Sequence, residues 1–164
     1  MEDRSSRKSR MEQLKKKMKR DISYGELFNE CIEVLDVNSH IYSFEKSQEL
    51  IEKMEKEFRF TNTGRVGWKY ITYKFSIKNI SDLYSHSLDL NSNYFIILNG
   101  NNFPVIETTI GDVIKNFKDI AFVGFNTWIV NFDEGIIIEN YHDEEITIGK
   151  RDILSRASAD RCSE

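Results

Sequence analysis

The stretch "FNTWIVNFDEGIIIENYHDEEITIGK", residues 125–150, decides the fold. Three runs rich in β-branched and aromatic residues are separated there by two polar clusters, the pattern of strands joined by short reversals. Asp133–Glu134–Gly135 reads as a hairpin loop with Gly135 in the left-handed position, and "HDEE" (142–145) turns the chain again. Strands linked this closely run antiparallel, so the C-terminal part of the chain reads as a meander. Six carboxylates, Asp133, Glu134, Glu139, Asp143, Glu144 and Glu145, precede the first basic residue of the turn-and-strand region, Lys150.

Upstream, "NYFIILNGNNFPVIETT" (93–109) reads as a hairpin around Asn99–Gly100, with Pro104 placing the returning strand near an edge or a bulge. In "VGWKYITYKFSIK" (66–78) the alternation puts Ile71, Tyr73, Phe75 and Ile77 on one face of a half-buried strand. "SDLYSH" reads as a short helical turn. "TIGDVIKNF" reads as a short helix opened by a Thr109–Asp112 box, and "IAFVGFNTWIVNF" as strand.

Before Gly64 the period is helical. In "SYGELFNECIEVLD" Ser23 and Glu26 form a capping box, and Leu27, Phe28, Cys31, Ile32 and Leu35 make one broad apolar stripe. "EKSQELIEKMEKEF" places Leu50, Ile51, Met54 and Phe58 on one face, with Glu49–Lys53 and Glu52–Lys56 pairs on the other. Helices come first and strands follow without βαβ alternation. The expectation is an α+β fold with N-terminal helices packed on a mainly antiparallel sheet.

Of 164 residues, 40% are hydrophobic and 12% aromatic, the composition of a globular chain. The expected organisation is a basic arm (1–20), largely disordered or helical, one α+β domain (21–152) and a polar tail (153–164). Residues 1–20 carry nine basic and three acidic side chains, a net of +6; the whole chain is −4, so residues 21–164 carry −10. An acidic body repels nucleic acid and membrane surfaces and attracts basic proteins. There is no apolar run long enough to span a membrane and no signal-peptide core after the basic start, which points to the cytoplasm. Cys31 lies in an apolar stripe and Cys162 near the end, so Cys31 reads as a small buried hydrophobe.

Catalytic signatures are missing. His142 with Asp143, Glu144 and Glu145 supplies metal-ligating residue types, but adjacent strand side chains point to opposite faces and no second His–carboxylate cluster has ligand spacing. Neither cysteine has a neighbouring activation cue, and "GRVG" (64–67) leads into a strand, whereas a phosphate cradle opens a helix. No catalytic residue, metal or cofactor is therefore assigned. Trp68 and Trp128 sit on expected strands as core residues, and each needs a partner for its indole N–H. Tyr70 and Tyr141 are candidates for an exposed sheet face, where with the acids they would form an aromatic-and-carboxylate recognition patch; the alternative is an ordinary solvated face.

The Trp-bearing strand, the acidic turn, the aliphatic strand, the His-Asp turn and the closing "ITIG" together resemble the C-terminal meander of small bacterial immunity proteins. These neutralise polymorphic toxins, including those of contact-dependent growth inhibition systems. The resemblance implies a cytoplasmic, non-catalytic inhibitor that binds and blocks a cognate protein toxin, often a basic nuclease. The expected contact residues are Asp133, Glu134, Glu139 and Tyr141 with Asp143, Glu144 and Glu145. Two other readings stand beside it: a metal-dependent enzyme using His142 and its neighbouring carboxylates, and an acidic regulatory or adaptor module.

Overall fold

The structure is a computed structural model that describes residues 25–35, 39–100, 102–124, 126–141 and 146–152. In chain order the elements are α1 (Glu26–Val34), β1 (His40–Ile41), α2 (Phe44–Phe58), a 3-10 turn at Trp68–Tyr70, β2 (Tyr73–Ile77) and a 3-10 helix at Ile80–Ser85. Then follow β3 (Asn93–Leu98), β4 (Ile106–Thr109), α3 (Ile110–Lys115), α4 (Phe117–Val123), β5 (Asn126–Asn131), β6 (Ile136–Tyr141) and β7 (Ile146–Lys150). All seven strands form one sheet in the order β1-β4-β3-β5-β6-β7-β2, and every pairing is antiparallel. The fold is α+β with the C-terminal meander that the turn chemistry of residues 125–150 requires.

The sheet is covered on both faces. Against the first face lie α1, α3, α4 and the 3-10 helix, whose Phe28, Cys31, Val113, Ile120 and Leu83 meet the strand residues Ile96, Ile106, Ile129, Ile138 and Ile148. Against the second lies α2, whose Leu50, Met54 and Phe58 pack with Val66, Ile71, Ile97, Trp128, Val130 and Ile137. Double coverage explains why β5 is buried along its whole length and β6 in all but its last residue. The run Ile136–Ile137–Ile138 is the sequence trace of this, because a strand solvated on one face would alternate.

Several elements depart from the sequence reading. Helix α1 starts after Gly25 with no side-chain cap; Ser23 lies outside the described residues. Its buried stripe is Phe28, Cys31, Ile32 and Leu35, while Leu27 points outward. Helix α2 is capped by Ser43, whose hydroxyl accepts from Lys46 N at 3.2 Å. The Glu49–Lys53 pair is not formed: Glu49 bonds Lys46 at 2.9 Å, and the Lys53 ammonium sits 4.4 Å from the Phe132 ring centre. Trp68 lies on the 3-10 turn and not on a strand, and β2 begins only at Tyr73. Residues 120–123, read as strand, end helix α4, so the first strand of the meander starts at Asn126.

The connection between β3 and β4 spans seven residues, and among the described ones Gly100 (φ 106°) and Asn102 (φ 53°) are left-handed. The β5–β6 loop has Gly135 at φ 69°, as its chemistry demands. A Cβ there would also meet the Arg151 side chain at 2.8 Å. Arg151 bridges from β7 to α2, pairing with Glu57 at 2.9 Å and donating to Phe132 O at 3.1 Å. This half-buried bridge ties the β5–β6 loop to the second-face helix.

Candidate protein-recognition surface

Glu139 is the expected contact residue that the structure corrects. It stands opposite Trp128 in the β5–β6 register, on the second face, and is 1% exposed. Its Oε1 accepts from Trp68 Nε1 at 2.9 Å and from the Arg65 guanidinium at 3.4 Å; its Oε2 accepts from Val66 N at 2.8 Å and Trp128 Nε1 at 3.0 Å. Two indole N–H groups, a backbone amide and a cation thus satisfy one buried carboxylate, as a buried charge requires. Glu139 is the partner both tryptophans needed, and it staples the 59–71 segment onto the sheet. A carboxylate so enclosed presents no charge to a docking protein.

Gly149 completes the arrangement. A Cβ at this position would lie 2.6 Å from the Trp68 ring and 3.0 Å from Ile71 Cγ2, so only glycine lets Trp68 lie against β7. Tyr141 is half-buried, with Arg65 4.2 Å over its ring. Tyr70 is exposed but sits on the 3-10 turn between Arg59 and Lys69, whose cations lie 5.1 and 4.9 Å from its ring centre.

Asp133 and Glu134 are exposed at the tip of the β5–β6 loop. His142, Asp143, Glu144 and Glu145 lie outside the described residues. In chain order they connect β6 to β7. Of the acids of the meander that the structure describes, Asp133 and Glu134 are exposed in the loop before β6 and Glu139 is buried within it.

Sequence reasoning missed the aromatic side chains beside Glu134. The row Ile136–Lys150–Tyr73 brings β2, the outermost strand, to the same end of the sheet as the loop. Tyr73 is 68% and Phe75 39% exposed, although alternation had put both on a buried face. On this outermost strand only Ile77 is buried in the first-face core, and Tyr73 and Phe75 stay in water. Glu134, Tyr73, Phe75, His86, Leu88 and Ile136 border one open cavity of about 540 Å³. His86 stacks on Phe75 with ring centres 4.3 Å apart. Lys74, the basic residue in mid-strand that would guard this edge, is folded back onto Trp68 O at 2.6 Å. The signal available in the sequence was the density of aromatics in "YITYKF" together with the lysine beside them.

Among the described residues no group of three or more His, Cys, Asp or Glu side chains is placed to hold a metal, and no helix is long and apolar enough to cross a membrane. No curated protein is significantly similar to the chain. A family model described as CdiI immunity protein, EcoliA0-like, matches residues 25–149, which takes in every helix and strand among the described residues up to the penultimate residue of β7. With 125 of its 164 residues matched, the chain belongs to the CdiI immunity protein family, and its role is that of a toxin-neutralising immunity protein.

Proposed function

We propose that this immunity protein acts in the cytoplasm by occupancy, binding its cognate toxin and blocking a positively charged groove, as a nuclease toxin would have, without chemistry of its own. The observation that supports this most is the convergence of Glu134 with the exposed aromatics Tyr73 and Phe75 around one open cavity. Such a mixture is what protein interfaces enrich: aromatic anchors within a polar rim. The lining of this cavity also includes Lys74 and Lys150, so the local charge is mixed. Long-range attraction comes from the body, which carries −10 over residues 21–164. A nuclease cleft is positive because it must hold phosphate, so an acidic body competes for it.

In this reading Asp133 and Glu134 supply contacts at the loop, Tyr141 supplies one at the opposite end of β6, the acids Asp143, Glu144 and Glu145 supply further contacts, and Glu139 supplies scaffold alone. The test is binding of the purified cognate toxin to the Asp133→Lys/Glu134→Lys variant. Affinity should fall at least tenfold while the melting temperature stays unchanged. Undiminished affinity would remove the loop from the interface.

A further inference from the structure

The second face holds a cavity of about 410 Å³ between α2, the loop that follows it and the connection after β3. Ile51 and Met54 of α2 supply aliphatic lining. Phe60 and Trp128, edge-on to each other with ring centres 5.5 Å apart, supply the aromatic part. Glu55, exposed and one helical turn beyond Ile51, is the one charged side chain among the described residues that line the cavity. The loop carrying Phe60 is held in place: Thr61 N donates to Arg65 O at 2.7 Å, and Arg65 and Val66 are both bonded to the buried Glu139.

One polar group in this lining is left unused by the fold. Asn126 opens β5 two residues before Trp128, so the two side chains share the second face. Asn126 is 5% exposed and lines the cavity, and its buried Oδ1 has no hydrogen-bond partner among the described residues. A buried acceptor without a donor is costly and rare in a native fold, and here it borders open space. The terminal torsion of an asparagine is broad, so this oxygen can turn to meet a donor that enters. Trp128, next in the same row, has its own indole N–H satisfied by Glu139 at 3.0 Å.

We infer that this cavity receives the guanidinium of an arginine side chain of the toxin, an assignment of partner that rests on the occupancy reading above. An unpaired acceptor asks for an N–H donor, and an acid as the sole lining charge asks for a cation. Aromatic and aliphatic walls ask for a head that sheds its water and a stem that packs. A guanidinium is planar, weakly hydrated and stacks on aromatic rings, whereas a lysine ammonium is compact and strongly hydrated. Its several N–H groups can donate to Asn126 Oδ1 with others left for the Glu55 carboxylate. A protein is the source because a body at −10 draws in basic chains.

The experiment follows the Asn126 side-chain amide and the Trp128 indole by two-dimensional ¹H–¹⁵N NMR while N-acetyl-arginine methylamide is titrated into the full chain. Both resonances should shift saturably, and the lysine and citrulline counterparts of the probe should bind more weakly. Asn126→Leu should weaken the arginine probe about tenfold, as loss of a charge-assisted hydrogen bond does. The surface variant Glu55→Gln should weaken it about threefold, as an exposed ion pair does. Asn126→Leu removes no hydrogen bond within the fold, so it should melt no lower than the parent; a purely structural role would lower the melting temperature and leave probe binding intact. A non-saturating response, equal binding of either counterpart, or undiminished binding by both variants would overturn the site. In the saturated toxin complex both resonances should be shifted already and insensitive to the probe; resonances that still titrate would overturn the toxin as occupant. The first titration needs no toxin, and Asn126 begins β5 whereas Asp133 and Glu134 follow its end, so failure of either site is read independently of the other.

Discussion

The carboxylate of Glu139 and the indole of Trp128 face each other across the β5–β6 ladder, joined by a hydrogen bond of 3.0 Å. With Trp68, Val66 and Arg65 on the same carboxylate, this pair anchors the loop after α2 to the centre of the sheet. Substitution Glu139→Gln conserves shape but replaces one acceptor oxygen with an NH₂ group that faces donors. It should destabilise the fold by about 2–4 kcal/mol, the range for breaking a buried hydrogen-bonded charge. Urea unfolding monitored by tryptophan fluorescence checks this directly. An unchanged midpoint would show that the network contributes nothing net.

Tyr73 and Phe75 stand on the outer strand, so truncating them removes little that the fold uses. Tyr73→Ala should change stability by no more than about 0.5 kcal/mol. Its expected effect lies in the complex: faster dissociation of the toxin, equivalent to about 1–2 kcal/mol, with little change in association rate. Surface plasmon resonance separates the two rates.

Cys31 is enclosed between α1 and the first face, and burial, with Asp119 adding a smaller push, raises its thiol to about 12. Tyr94 is raised to about 12 as well, chiefly by burial. A raised folded value favours the protonated form, so the contribution of Cys31 is fully present below its unfolded value near 9 and is lost as pH climbs toward 12. Stability should therefore decline between pH 9 and 12. At pH 8 the native thiol should react with iodoacetamide roughly a thousandfold more slowly than the unfolded one, in proportion to its thiolate fraction. Rapid native-state labelling of Cys31 would contradict its placement.

Much of the architecture was legible because turn chemistry is local. Gly135 and the flanking β-formers specified the β5–β6 hairpin, and that hairpin in turn fixes Trp128 opposite Glu139. What alternation could not supply was the second layer. An isolated carboxylate after Ile136–Ile137–Ile138 looks like a solvated rim position, and only the tertiary approach of Trp68, 71 residues upstream in the loop after α2, turns it into a core group. Tyr73 and Phe75 failed in the opposite sense. Their period-two pattern is genuine, but β2 closes the edge of the sheet, and whether the covering helices reach that edge depends on topology, which periodicity does not encode. Residues 120–123 were misread because a short apolar run satisfies either helix or strand, and the packing of Ile120 among the first-face residues decided for helix.

The central claim is occupancy of a positive groove by an acidic body, and the salt dependence of the association rate measures it most directly. Between about 20 mM and 500 mM salt the rate constant for toxin binding should fall at least tenfold, and the Asp133→Lys/Glu134→Lys variant should associate more slowly at the low end. An association rate indifferent to salt, with the charge-reversed variant matching the parent, would contradict it.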